Sequence, residues 1–246
     1  MIKLQGSHNG IPWRRHEISR IEALSDAVFA LAITLLIVSL EVPQTFAELW
    51  EKMHGLVAFA ISFALLFQVW YTQHTFFRRY GLEDLRTVVL NGALLFLVLF
   101  YMYPLKFLFV LLSSEFLGGH GLAHLADGRS VPMIASPHEA TLMMIIYSVG
   151  FSAIFGIFVL LYANALKRRS TLGLSAAEVF DARTSLIGNA IMVGVAALSL
   201  VILFTTRSQN LAGFTYFLIP VAQQIFGSVR GRNRRLRFET HAHVQH

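Results

Sequence analysis

Long apolar stretches alternate with short polar connections along this chain. Each stretch has about 20 residues, enough for an α-helix to cross roughly 30 Å of hydrocarbon. They predict an all-α polytopic membrane protein with six transmembrane helices, near residues 21–40, 54–77, 87–112, 140–163, 184–204 and 211–229. The sixth stretch is the least regular, because Pro220, Gln223 and Gln224 interrupt it.

The composition agrees with a membrane protein. Of the 246 residues, 55% are hydrophobic and only 14% are charged, which is too little charge for the surface of a soluble domain. The region up to Glu22 is polar and basic, so we expect no cleavable signal peptide. The chain contains no cysteine, which excludes disulfides, thiolate metal sites and thiol chemistry.

The basic residues are distributed unevenly between the connections. Sixteen of the 20 Lys and Arg residues precede the first stretch, separate the second from the third and the fourth from the fifth, or follow the sixth. This positive-inside pattern predicts that both termini lie in the cytoplasm. The Arg cluster at 230–237 therefore fits an anchor against anionic lipid better than a nucleic-acid surface.

Three polar residues lie at similar depths in the first three stretches. Asp26, His74 and Asn91 are four to six residues inside basic boundary residues, or roughly 6–9 Å at 1.5 Å per residue. Trp70 lies one turn from His74 on the same face, and Ser25 precedes Asp26. A carboxylate at membrane depth needs partners or a task. The layer thus indicates either a hydrogen-bonded clasp that fixes helix packing, or a proton relay or cation site.

The first stretch also has a continuous apolar stripe. Its members, within about 40° of Leu31 at 100° per residue, are Leu24, Ala27, Leu31, Leu35 and Val38. Ser25 and Asp26 fall about 120–140° away on either side. If the stripe faces a pathway, Asp26 does not, which favours the clasp over the relay. Periodicity alone predicts only a surface against lipid or another helix.

The start of this stretch resembles a family signature. Arg20-x-x-x-Leu24-Ser25-Asp26, with the apolar run that follows, resembles the Arg-x-x-x-Phe-Ser-Asp signature of the transmembrane protein 175 (endolysosomal potassium channel) family in its bacterial form. Leu24 stands at the Phe position, which removes an aromatic packing element and could alter helix seating or gating.

Further residues extend the resemblance to about residues 14–105. Trp70-Tyr-Thr-Gln-His74 is similar to the family's Trp-containing, His-ending element in the second helix, and Asn91 and Pro104 match its third helix. Gln73 stands where many relatives have a second His.

The resemblance implies a homotetramer of six-helix subunits, in which the first helix of each subunit lines a central pore for potassium. No cofactor and no enzymatic activity are implied. The expected boundaries are a cytoplasmic segment 1–20, one channel domain 21–229 and a basic cytoplasmic tail 230–246.

When the family's pore is carried over by position from Asp26, its constriction falls at Leu31. Leu35 and Val38 extend it, and Thr34 beside them is expected to tune selectivity. Four copies of such apolar side chains would gate by dewetting. Glu41, at the external end, would concentrate cations at the mouth.

The remaining signature residues are expected to hold the pore helices in place. They are Arg20, Leu24, Ser25, Asp26, Trp70, His74 and Asn91. The alternative is a proton-coupled secondary transporter using Asp26 and His74, although the internal repeats and broken helices usual in such carriers are not evident. In the external loop, His120 and His124 have a spacing that could bind zinc, but neighbouring glycines favour an ordinary polar loop.

Overall fold

The fold is known here from a computed structural model. It describes residues 7–8, 11–12, 19–38, 44–46, 49–50, 53, 56–116, 122–124, 129–234 and 236–237. At some of these positions, Val38 among them, only the backbone is described. Glu41 lies outside the described residues, as does His120.

Five long helices and a sixth, interrupted one account for most of the described chain. The uninterrupted helices are α1 (Arg20–Val38), α2 (Leu56–Tyr80), α3 (Leu85–Phe116), α4 (Pro137–Lys167) and α5 (Ala176–Thr206). The sixth consists of α6 (Gln209–Phe214), a 3₁₀ turn (Thr215–Phe217) and α7 (Leu218–Arg234). The six predicted segments coincide with these helices, so the all-α prediction is confirmed.

Three of these helices are long and apolar enough to cross a membrane by length and hydropathy alone, within the described residues. They are Leu85–Leu108, Pro137–Lys167 and Ala176–Thr206. Among the other segments, α2 includes the polar residues Gln68, Gln73 and His74, and α7 ends among arginines. The last helix continues to Arg234, four residues beyond the predicted start of the tail.

Two short antiparallel ribbons accompany the helices. β1 (Ser7–His8) pairs with β2 (Ile11–Pro12), and β3 (Leu122–His124) pairs with β4 (Ser130–Pro132). The second ribbon lies in the predicted external loop between α3 and α4, which therefore has a local hairpin structure.

Serine and glutamate three residues apart mark the starts of α1 and α5. At α1, the Ser19 N–H donates to Glu22 Oε2 (2.9 Å) and the Glu22 N–H donates to Ser19 Oγ (3.2 Å). Ser175 and Glu178 form the same capping box at α5. Each box satisfies two backbone donors that would otherwise lack partners in the first turn.

The residues group into two compact units. We call residues 19–74 and 95–147 unit A, and residues 1–18, 75–94 and 148–246 unit B. In unit A, the Tyr101 hydroxyl donates to the Ile146 carbonyl (2.9 Å) and the Tyr147 hydroxyl to the Pro104 carbonyl (2.5 Å), which joins α3 to α4.

In unit B, the aromatic core joins the end of α2 to α4. The rings of Phe76 and Tyr162 meet edge to face with centroids 5.2 Å apart, and those of Tyr80 and Tyr162 do so at 5.9 Å. All three side chains are buried. Helix α5 packs against α6 and α7 in the same unit.

The sixth segment is interrupted by the 3₁₀ turn at Thr215–Phe217. Hydroxyl groups satisfy the backbone there: Ser199 Oγ donates to the Ala212 carbonyl (2.9 Å), and so does Thr215 Oγ1 (2.6 Å). The Tyr216 hydroxyl donates to Ser148 Oγ (2.9 Å) on α4. These bonds satisfy the Ala212 carbonyl and attach the turn to α4 and α5, and Pro220 follows in the first turn of α7, where proline is tolerated.

Candidate functional site

One face of α1 is buried within the subunit. Glu22, Ser25, Phe29, Ala32 and Leu36 are each no more than 4% exposed. Their spacing alternates between three and four residues, which is the period of one helix face. This face therefore fixes α1 to the rest of its subunit.

The opposite face carries the predicted stripe and is exposed. Leu24 is 60% exposed, Leu31 50% and Leu35 38%, and Ala27 and Thr34 are exposed as well. These residues lie where the apolar periodicity predicted them. The subunit thus presents a row of apolar side chains that it does not itself cover.

Thr34 has a defined hydroxyl orientation on this face. Its Oγ1 donates to the Ala30 carbonyl one turn back, at 2.8 Å. Because the hydroxyl proton is used within the helix, the lone pairs of Oγ1 remain as acceptors on the exposed side. Such an oxygen can accept a hydrogen bond from water or contact a cation.

Asp26 is bonded to the second helix. The Trp70 indole Nε1 donates to Asp26 Oδ1 at 2.8 Å, which joins α1 to α2 within unit A. The His74 ring stacks on the Trp70 ring with centroids 5.2 Å apart and planes 24° apart, and the Phe67 ring lies tilted against the same indole with centroids 5.2 Å apart. The structure thus brings together three of the residues predicted to form a polar layer.

The other predicted members of the layer differ in their surroundings. Ser25 is fully buried, and its hydroxyl donates to the Ile21 carbonyl of its own helix (2.7 Å). Asn91 is buried but belongs to unit B, whereas Asp26 and His74 belong to unit A. Arg20 is exposed at the first residue of α1.

A polar network in unit B did not emerge from the sequence analysis. Asp84 precedes α3 and accepts from Thr87 Oγ1 (2.7 Å), from Asn164 Nδ2 (3.2 Å) and from Arg168 Nη2 (3.2 Å). Asn164 Nδ2 also lies 3.0 Å from Thr87 Oγ1. The Asp84-x-x-Thr87 pattern could have revealed the helix cap, but no local signal connects it to α4, about 80 residues away.

The network keeps Asp84 ionised. Burial raises the pKa of the Asp84 carboxyl, but the hydrogen bonds from Thr87 and Asn164 and the charge of Arg168 outweigh it, so that the pKa falls below its ordinary value of 3.8. The folded chain therefore stabilises the Asp84 carboxylate more than the unfolded chain does.

This depressed pKa predicts how stability depends on pH. The contribution of Asp84 is fully present above its unfolded pKa and is lost as the pH falls through the lower folded value. Asp84→Asn should lower the thermal midpoint at neutral pH, with a loss of about 1.5–3 kcal/mol for a hydrogen-bonded charge. In detergent, the gap between native chain and variant should close as the pH falls below about 4. A difference in thermal midpoint that stays constant down to pH 3 would contradict a stabilising role of the ionised Asp84.

A second ionic cluster joins the ends of three helices in unit B. Asp181 on α5 accepts from Arg234 Nε of α7 at 3.1 Å and lies 3.8 Å from Arg79 Nη1 of α2. Within the described residues, no group of three or more His, Asp and Glu side chains could hold a metal ion. Both ionic clusters join helix ends.

The residues that carry the stripe and the Asp26–Trp70 bond fall within a known family pattern. The family described as endosomal/lysosomal potassium channel TMEM175 matches residues 20–102, which cover α1, α2 and the first half of α3. A potassium channel of Marivirga tractuosa is 40% identical over 235 residues, which are 94% of each chain. The chain belongs to the TMEM175 family.

Other TMEM175 relatives and structures agree. A potassium channel of Chamaesiphon minutus is 37% identical over 99 residues, which cover 36% of this chain and 47% of that one. The crystal structure of a variant of the potassium channel MtTMEM175, bound to a nanobody–MBP fusion, superimposes with a TM-score of 0.76 at 39% identity, over 92% of this chain and 99% of that one. A lysosomal potassium-selective channel TMEM175 homologue from Chamaesiphon minutus gives a TM-score of 0.55 at 25% identity, over 86% and 96%. The family resemblance predicted from residues 14–105 is therefore confirmed over nearly the whole chain.

Proposed function

We propose that this chain is a potassium-preferring channel that conducts passively through a homotetrameric pore lined by α1. The observation that carries the proposal is the exposed face of α1, where Leu31, Leu35 and Thr34 lie opposite a fully buried face. The subunit alone leaves this row uncovered, and the similarity to potassium channels supports a pore here instead of a lipid-facing surface. A second, third and fourth copy would complete that pore around a central axis.

The selectivity mechanism follows from apolar rings. Four copies of Leu31 would form a neck that cannot replace the hydration shell of an ion. Potassium gives up its shell more cheaply than sodium, so the neck penalises sodium more. Leu35 and Val38 would extend this barrier toward the external end, and an empty neck would close by dewetting.

Thr34 provides the polar element of the proposed pore. Because its hydroxyl proton is bonded to Ala30, four Oγ1 atoms would face the permeating ion as acceptors. Acceptor oxygens stabilise cations and not anions. This arrangement supports cation selectivity in the same segment where the leucines set the cost of dehydration.

Asp26, Trp70 and His74 act in this proposal as a clasp and not as a proton relay. The carboxylate of Asp26 is bonded to Trp70, and His74 stacks on that indole. The Asp26 bond joins α1 to α2, on a different side of α1 from the exposed stripe. Nothing in the described part of the chain favours the proton-coupled transporter, and we infer no enzymatic activity.

The proposed orientation places both termini in the cytoplasm of a prokaryotic cell, with the six helices of residues 21–229 in its membrane. Supporting contacts come from unit B, where Asp181 joins the end of α2, the start of α5 and the end of α7. Asp84 joins the start of α3 to the end of α4. These are the helix ends at which the basic residues predict the cytoplasmic side.

Glu41 is proposed to concentrate cations at the external mouth. We expect Glu41→Gln to reduce single-channel conductance at low ionic strength, because four carboxylates would no longer raise the local cation concentration. The effect should vanish in about 1 M salt, where the Debye length is about 3 Å. Single-channel recordings at both ionic strengths check this prediction. If the native chain and Glu41→Gln have equal conductances at low salt, Glu41 does not act at the external mouth.

The experiment that tests the proposed function is a flux measurement in liposomes. The purified chain is reconstituted with a potassium gradient, and flux is recorded with potassium or sodium as the permeant ion, without a proton gradient. We expect passive flux with potassium preferred. Flux that requires a proton gradient and saturates with the concentration of the transported ion would contradict the channel proposal. It would favour the proton-coupled transporter that uses Asp26 and His74.

A further inference from the structure

An open groove of about 600 Å³ follows one side of the last helix, far along the chain from the α1 stripe. It is lined by Gln223, Gln224, Gly227, Ser228, Gly231, Arg232 and Leu236. All of these residues belong to unit B. Most of the lining can form hydrogen bonds, which is unusual for a membrane-embedded helix surface.

The groove runs along α7 between the face that packs on α5, with which it shares Gln223, and the exposed apolar face, where Arg232 continues the row of Val221 and Ile225. On the face that packs on α5, Gln223 Nε2 donates to the Gly188 carbonyl (2.9 Å), the Arg230 guanidinium lies 5.1 Å from the Phe180 ring, and Arg234 bonds to Asp181. The residues of the exposed apolar face are Leu218, Val221, Ile225 and Val229. The groove itself has Gln224, Ser228 and Arg232 at successive intervals of four.

Arg232 differs from its two neighbouring arginines. Arg230 lies over Phe180 and Phe226, and Arg234 bonds to Asp181. Arg232 is exposed, and among the residues that the structure describes it has no hydrogen bond or ion pair. A guanidinium beside a hydroxyl and an amide offers the donors that a phosphate group accepts.

Two glycines keep the groove open. A methyl group built on Gly227 or Gly231 would meet nothing within 4 Å. The backbone can therefore be approached closely at both positions, and larger side chains there would fill the groove without displacing another part of the described chain.

We propose that this groove binds the headgroup phosphate of an anionic phospholipid, with the acyl chains along the exposed apolar face of α7. The donors of Arg232 and Ser228 match the phosphate in charge and hydrogen bonding. The apolar face begins next to the groove and continues away from the basic end, as a lipid does from headgroup to tail. The nine residues from Gln224 to Arg232 span about 12 Å, which fits a headgroup and its glycerol. A free phosphate ion would make no use of the apolar face.

The test is native mass spectrometry of the full chain, titrated with phosphatidylglycerol or phosphatidylcholine. We expect the native chain to retain phosphatidylglycerol in preference. Arg232→Gln should weaken that retention about fivefold, as expected for one basic residue at a membrane surface. Gly231→Leu should weaken it without changing any charge, because it fills the groove. Arg169→Gln, which removes an exposed arginine outside the groove, should leave retention unchanged.

Each other outcome overturns the proposal in a different way. If Arg169→Gln weakens retention as much as Arg232→Gln, the lipid is held by general surface charge. If Gly231→Leu has no effect, the groove is not the site, and if millimolar inorganic phosphate displaces the lipid completely, the ligand is a free phosphate. The lipid measurement does not use flux, so a native chain that fails to conduct potassium would count against the proposed function alone.

Discussion

Leu31→Ala should weaken the discrimination between potassium and sodium while the chain still assembles. Leu31 is half exposed in the subunit, so its truncation removes little packing within the subunit itself. In the proposed tetramer the same change widens the neck by four side chains and lowers the dehydration penalty that sodium meets. A reduction of about 1.4 kcal/mol in the difference between the two ions corresponds to a tenfold change. We therefore expect the permeability ratio to fall roughly tenfold, with total flux unchanged or higher.

The matched control for this change is Leu198→Ala. Leu198 on α5 is similarly exposed, at 42%, and the substitution is chemically identical. It should leave the permeability ratio as it is in the native chain. Reversal potentials with potassium and sodium on opposite sides provide the measurement, and size-exclusion chromatography checks assembly. An unchanged ratio in Leu31→Ala would move the constriction away from this position.

Asp26→Ala should reduce assembly and yield but leave ion preference unchanged. Its removal leaves the Trp70 indole N–H without the acceptor that joins α1 to α2. A hydrogen bond to a charged group is worth about 1.5–3 kcal/mol, and an indole left unpaired away from water costs a similar amount. We expect a lower thermal midpoint and a smaller tetrameric fraction in detergent, with the permeability ratio of the surviving channels unchanged.

Two further variants separate the clasp from a proton relay. Asp26→Asn keeps an oxygen that can accept from Trp70 but cannot carry a proton, so a clasp predicts nearly normal assembly and flux. Trp70→Phe removes the donor and should add little to the loss already caused by Asp26→Ala, because the two residues share one bond. Normal assembly with abolished flux in Asp26→Asn would establish the relay instead.

The sequence was most informative where one helix carries its own pattern. On α1 the apolar repeat predicted the row of Leu24, Leu31 and Leu35, because a 3.6-residue period defines a face without reference to any partner. The Asp26–Trp70 contact could also be anticipated, since both residues lie near the same membrane edge and a carboxylate at that depth needs a donor.

Contacts that depend on the packing of distant helices gave no such signal. The Ser19–Glu22 capping box has a local signature, Ser-x-x-Glu before an apolar run, that sequence reasoning could have used. The bonds from Asn164 and Arg168 to Asp84 have no local signature. The positive-inside pattern places the end of α4 on the same side as the start of α3, but a single sequence does not specify that these two helix ends are in contact. Asp181 has the same property, because its two arginines come from helices separated by more than 150 residues.

The interruption of the sixth segment has a built-in redundancy. The Ala212 carbonyl accepts from both Ser199 on α5 and Thr215 in its own turn, so either hydroxyl alone still satisfies it. The Thr215 backbone N–H also donates to the Ala212 carbonyl, so the loss of one or both hydroxyls still leaves a backbone donor there. The 3₁₀ turn should therefore tolerate Ser199→Ala and Thr215→Val even when the two are combined, because the backbone bond remains and only the hydroxyl link from α5 is lost.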